Sequence, residues 1–91
     1  SSASTLVNNQ LDVFFNESVS LASAQNIANY SISGGIGTPL TATRNAGNFS
    51  QVTLTFATPF VDNQNYTITA TNITDFAGNT QTSTQTNFTY L

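Results

Sequence analysis

All of the side-chain charge in this sequence sits on Asp12, Glu17, Asp62, Asp75 and Arg44, because the chain contains no Lys, His or Cys. Each familiar reaction type therefore lacks a part. A Ser or Thr nucleophile has no ordinary base to activate it. Hydrolysis by paired carboxylates needs two acids converging across a sugar cleft; Asp12 and Glu17 can approach one end of a fold, but nothing around them shapes a cleft. The chain reads as non-enzymatic. Asp75 and Asn79, with a loop carbonyl, form a weak Ca²⁺ candidate, since that ion takes six to eight oxygens and no dense Asp/Asn loop supplies them. The stronger reading of Asp75 is structural. A short carboxylate accepts N–H groups of its own loop, Asp75-Phe76-Ala77-Gly78-Asn79, in which Gly78 and Asn79 suit positive φ. No cofactor is implied.

Two covalent cross-links can be sorted the same way. A Lys–Asn isopeptide is impossible without Lys, and a Thr–Gln ester has no positional support. Six Asn-x-Ser/Thr sequons, at Asn16, Asn29, Asn48, Asn65, Asn72 and Asn87, are glycosylation candidates conditional on the compartment. Asn16 and Asn48, in turns, are the most accessible. Trp is absent, and the outward rings expected for stacking on sugars are Phe14, Phe49 and Phe76. A carbohydrate- or surface-binding module is thus an alternative without strong support. Thr at 53 and 55, at 67, 69 and 71, and at 80, 82, 84 and 86 has the spacing of a flat binding array. High β propensity on the wet side of strands explains the first two sets more simply.

Composition narrows the partners. Charged residues make up 5% of the chain, against about 25% in an average soluble domain. A net charge of −3 with one cation cannot neutralise phosphates, so no nucleic acid is expected. Val13-Phe14-Phe15 is the longest aliphatic or aromatic run, far too short for membrane insertion. Ser, Thr and Asn occupy the positions that charges usually take, a surface common in secreted and cell-surface proteins. With 91 residues and 38% hydrophobic content, residues 1–91 are expected to form a single domain with one core. Ser1-Ser2-Ala3-Ser4 reads equally as a mature start or as a linker.

The elements follow from the period-two alternation of strands. A short edge strand is expected near 4–8, around Leu6 and Val7. Leu11, Val13 and Phe15 make the second strand, with Phe14 on the opposite face, and Val19 and Leu21 return to the core. Ser23–Asn29 is the one expected helical turn, capped by Ser23 with Ala24, Ile27 and Ala28 on its apolar side. Tyr30 and Ile32 begin a strand that ends at Gly34-Gly35-Ile36-Gly37. Leu40, Ala42 and Arg44 form the next, and Asn45–Asn48 is a turn. Val52, Leu54 and Phe56 give the cleanest strand. Tyr66, Ile68 and Ala70 give the strand leading to the Asp75 loop. Tyr66 stands where immunoglobulin-type sandwiches place a corner tyrosine, with a backbone acceptor expected near Phe60 to Asn63. The last strand covers 82–90 with Phe88 inward. About seven short strands and almost no helix predict an all-β, Ig-like antiparallel sandwich.

Leu11-Asp12-Val13-Phe14-Phe15-Asn16-Glu17-Ser18-Val19, Ala28-Asn29-Tyr30-Ser31-Ile32-Ser33-Gly34, Val52-Thr53-Leu54-Thr55-Phe56, Tyr66-Thr67-Ile68-Thr69 and Asn72-Ile73-Thr74-Asp75-Phe76-Ala77-Gly78-Asn79 stand in an order that resembles the bacterial Ig-like domains of the S-layer type. Phe88 matches the closing aromatic, and Ser18 departs from a frequent Pro. The resemblance implies an extracellular, non-catalytic module strung in tandem within surface-layer proteins, adhesins or large secreted enzymes, with neighbouring modules or identical subunits as partners. Lys-free, Thr-rich edges lack a common guard against strand addition. A self-assembling filament or lattice subunit, pairing Ser1–Asn8 with a neighbouring sheet, is therefore a further alternative.

Overall fold

The computed structural model describes residues 2–81 and 83–90, apart from the side chain at position 6. The expected roles of Leu6 and of position 82 lie outside the described residues. The elements are β1 (Ser2–Val7), β2 (Gln10–Phe14), a one-turn helix α1 (Leu21–Ala24), a 3₁₀ turn (Ile27–Asn29), β3 (Tyr30–Ile32), β4 (Thr41–Asn45), β5 (Asn48–Thr55), β6 (Asn65–Ala70), β7 (Ile73–Thr74), β8 (Thr80–Gln81) and β9 (Thr84–Thr89). They form a four-stranded sheet ordered β1-β2-β5-β4, a three-stranded sheet ordered β3-β6-β9, and the small β7-β8 hairpin. All pairings are antiparallel. This is the strand order of a seven-stranded immunoglobulin sandwich.

Register explains why the alternation builds two layers. On β2 and β5, Leu11 lies opposite Leu54 and Val13 opposite Val52, while Asp12 lies opposite Thr53. The first two pairs face the other sheet, so Leu11, Val52 and Leu54 are fully buried and Val13 nearly so. Across the gap, Ile32 pairs with Ile68 and Tyr66 with Phe88, and Phe15, Phe56 and Ala70 complete the core with them. Each large apolar side chain withdrawn from water contributes roughly 1.5–3 kcal/mol. A one-residue slip in β5 would turn Val52 and Leu54 outward and Thr53 inward, so the register is strongly specified.

The chain enters and leaves at opposite ends. Ser2 lies opposite Phe14, beside the start of β5, where Phe15 donates its N–H to the Ser50 carbonyl at 2.8 Å. The bridge between Val19 and Asp75 ties the loop after β6 to this same end. Thr89 lies opposite Asn65, and Tyr90 accepts from Asn63 N–H at 2.6 Å. That end also holds the β1–β2 turn, where Asn8 accepts from Phe60. The body measures 38 × 25 × 20 Å.

The helical segment departs from its expected form. The α1 turn starts at Leu21 with Ser20 as its cap, Ser23 N–H donating to Ser20 Oγ at 3.3 Å. A separate 3₁₀ turn is capped by Asn26, whose Oδ1 accepts from Ala28 N–H at 3.1 Å. Ala24 is buried, but Leu21 is 49% exposed and Ile27 and Ala28 face outward. The cause is tertiary. Ser20 N–H donates to Thr74 at 2.7 Å, which pins the crossover where the turn begins, and Tyr30 O–H donates to the Ala24 carbonyl at 2.6 Å, which ends it. Leu40, expected in the inward row of the next strand, is 59% exposed and precedes β4. It sits where the chain arrives from the other sheet, past the last layer of the core.

Gly34 meets a steric requirement. Its φ is +73°, and a Cβ there would lie 3.0 Å from Tyr66 Cε1. Only glycine lets the β3–β4 connection pass this close to the ring.

Candidate functional site

The entry end of the sandwich gathers three of the five charged residues. Asp75 closes its loop as expected from its chemistry. Its Oδ1 accepts from Asn79 N–H at 2.8 Å and its Oδ2 from Asn79 Nδ2 at 3.4 Å, while Gly78 N–H donates to its carbonyl at 3.2 Å. Gly78 takes φ +88°, but among the described residues the non-glycine ones with positive φ are Asn63 and Asn72, not Asn79. The β7-β8 ladder pairs Thr74 with Thr80 and so fixes the ends of the loop.

Glu17 was not expected at this place. The loop after β2 carries it to Asp75, because Val19 bridges to Asp75 from one side. The Asn79 backbone N–H, then the Glu17 side chain, hold the Asp75 carboxyl below its usual range. Glu17 is pushed up, first by hydrogen bonding to Asp75 and then by its charge. Both carboxyls are solvent-accessible, so water screens their interaction. The two acids border a cavity of about 340 Å³ that Phe15, Val19, Ile73 and Asn79 also line. Among the described residues, no group of three or more acidic or metal-ligating side chains converges.

Arg44 lies on the same end. Its Nη1 donates to the Val19 carbonyl at 2.9 Å, and its guanidinium carbon sits 4.0 Å from the Phe49 ring centroid and 6.0 Å from that of Phe76. The rings are 5.7 Å apart and tilted by 52°. Phe76 is 63% exposed and Phe49 less so. Arg44 covers one face of Phe49, a cation–π arrangement, so that face is closed to a sugar. Phe14, the third expected outward ring, is half-buried on the outer sheet face.

The exit end is built on aromatics. Phe60 packs against Phe56, Tyr66, Phe88 and Tyr90 with centroid separations of 5.3–5.8 Å. Tyr66 Oη accepts the Val61 N–H at 2.8 Å. The partner lies in the expected stretch, but it is a donor, not the acceptor anticipated. Val61, Leu40 and Val7 stand exposed around this corner.

The remaining candidates disperse. Asp12 is buried on the outer sheet face, where Thr53 Oγ1 donates to it at 2.6 Å, and it does not meet Glu17. Gln10 Nε2 donates to Thr55 Oγ1 at 3.3 Å, the one close Thr–Gln approach among the described side-chain bonds. Ester formation needs a base beside it, and the neighbouring Asp12 is engaged by Thr53. Asn16, Asn48, Asn65, Asn72 and Asn87 are exposed. Asn29 is buried, its Nδ2 donating to the Ser23 carbonyl at 2.9 Å, so a glycan there has no room. The clustering of Glu17, Arg44, Phe49 and Phe76 escaped sequence reasoning, because three segments far apart in the chain supply them: the loop after β2, the β4–β5 hairpin and the β7–β8 loop.

The sequence profile of the bacterial Ig-like domain family matches residues 1–90. This chain is a bacterial Ig-like domain. The Ig-like domain superposes on the crystal structure of the N-terminal part of the bacterial S-layer protein SbsC with a TM-score of 0.86 and 26% identity, covering 99% of this chain and 22% of that one. It matches the structure of surface layer protein SbsC, domains 1-6, with a TM-score of 0.86 and 26% identity over 98% of this chain and 13% of that chain. The crystal structure of rSbsC(31-844) gives 0.87 and 26% over 99% and 13%. The domain thus spans less than a quarter of each solved chain. Comparison with curated proteins gives no match.

Proposed function

We propose that this Ig-like domain is a non-catalytic spacer module of an extracellular, cell-surface protein, in which residues 1–91 act as one unit between neighbouring modules or identical subunits. The carrying observation is the placement of chain entry and exit at opposite ends of a body 38 Å long. Tension applied through the chain runs along the strands, and each module adds its full length. The S-layer proteins among its structural neighbours support the surface location. Asp75, Gly78 and Asn79 shape the entry end; Tyr66 and Phe88 shape the exit end; Phe15, Val52, Leu54, Phe56 and Ile68 hold the layers together. Small-angle scattering of a head-to-tail fusion of two copies tests the reading. The expected maximum dimension grows by about one module length; a fusion no longer than the single domain refutes it.

A second reading, a filament or lattice subunit, draws on β1. It is an edge strand held in its sheet by β2 alone, and it carries the small residues Ser2, Ala3, Ser4 and Thr5. Exchange of β1 between copies would conserve every ladder bond. Electron microscopy of the chain lacking residues 1–8 decides it: assembly that persists excludes strand exchange.

A further inference from the structure

We infer that the ring pair Phe49–Phe76 with Arg44 is the seat for the exit end of a preceding Ig-like domain, whose corner bearing Val61 and Asp62 lies on it. This rests on the spacer reading and names its contact. The exposed large hydrophobic side chains among the described residues are Val7, Leu21, Ile27, Leu40, Phe49, Val61 and Phe76. Leu21, Ile27 and Phe76, with Phe49 near the start of β5, stand at the entry end, and Leu40 and Val61, with Val7 at the close of β1, stand at the exit end. Scattered exposed apolar residues are ordinary, but confinement to the two ends through which the chain passes is the distribution that stacking requires.

The occupant follows from topology. β1 begins at the ring-bearing end, so a domain joined ahead of it arrives there with its own exit end foremost. The seat is pre-ordered, since the Val19 carbonyl holds Arg44 and Arg44 holds Phe49. Ordering entropy at the contact is correspondingly small. Charge at the receiving end is mixed, with Arg44 close to Glu17 and Asp75, so the apolar side chains and not net charge carry the contact. An end of 25 × 20 Å buries on the order of 1,000 Å² in total when stacked, within the range of inter-domain contacts in one chain.

The test is a fusion in which residues 1–91 are followed directly by a second copy, examined by NMR relaxation and amide shifts. Docking predicts that the two copies tumble as one body. It also predicts that amides around Phe49 and Phe76 of the second copy, and around Val61 of the first, shift from their single-domain positions. Phe76→Ser in the second copy and Val61→Ser in the first sit on opposite sides of the contact, and both side chains are exposed, so each domain keeps its fold. Each alone should return shifts and correlation time to single-domain values. Independent tumbling of the unmutated fusion, or shifts unmoved at both surfaces, overturns the docking. In that case an extended scattering envelope still upholds the spacer reading, whereas two copies folded side by side defeat both.

Discussion

Replacing Tyr30 by Phe isolates one hydroxyl at the centre of the fold. Tyr30 is almost fully buried, and its O–H donates at 2.6 Å to the carbonyl of Ala24, itself in the core. Tyr30→Phe keeps the ring and leaves that carbonyl without its partner, which costs about 1–3 kcal/mol. A domain of this length has a total stability of roughly 5–14 kcal/mol, so the loss is large enough to measure in a urea titration. The same group sets the alkaline limit. Burial raises the Tyr30 pKa well above the usual tyrosine range. A raised folded-state pKa means that its contribution is fully present below the unfolded value and lost as pH rises toward the folded one. The unfolded chain releases its proton above about pH 10, so stability should fall with a slope approaching 1.4 kcal/mol per pH unit, or about 2 kcal/mol by roughly pH 11.5. Tyr30→Phe should start lower at neutral pH and lose that slope. A variant as stable as the parent at pH 7, or one with an unchanged alkaline slope, would refute the assignment.

Gly34→Ala and Gly78→Ala form a matched pair, both at positive φ, but only the first meets the Tyr66 ring. The left-handed backbone costs about 1–2 kcal/mol in each, and chemical denaturation should show a further loss for Gly34→Ala alone. Thr53→Val removes the hydroxyl that donates to the buried Asp12 carboxylate and should cost about 1–3 kcal/mol, whereas Thr55→Val on the same strand should cost less. Carboxyl NMR should find Asp75 titrating below its ordinary value of 3.8 and Glu17 above its own 4.5. The Asp75 contribution is lost as pH falls through its depressed pKa, and the Glu17 contribution as pH rises through its raised one. Glu17→Gln deletes only the second, so its stability should decline more steeply on acidification; an Asp75 resonance titrating normally in the parent would contradict this. Millimolar calcium and EDTA should give the same melting temperature, because the oxygens of Asp75 are occupied by its own loop.

Alternation made most of the layers legible before any coordinates. Val52, Leu54 and Phe56 against Thr53 and Thr55 state which side is dry, since successive residues of a strand point to opposite faces. The same rule failed at Leu40, where the row continues one residue beyond the core. It failed again at Leu21, Ile27 and Ala28, where a single helical turn is too short for its period to choose a face. There the backbone bond from Ser20 to Thr74 and the hydroxyl of Tyr30 chose instead. The corner at Tyr66 was legible in place but not in sense. A hydroxyl can give or accept, and only the direction of the Val61 N–H settled which.

The sequence by itself determined a charge-poor, two-layered β sandwich and the self-closing Asp75 loop, because alternation and turn chemistry act over a few neighbouring residues. Only the tertiary structure decided that Glu17 would stand beside Asp75 and that Arg44 and Phe49, from one hairpin, would meet Phe76. The loop after β2, the β4–β5 hairpin and the β7–β8 loop are far apart in the chain, and their meeting depends on which segments the strand order brings to the same end.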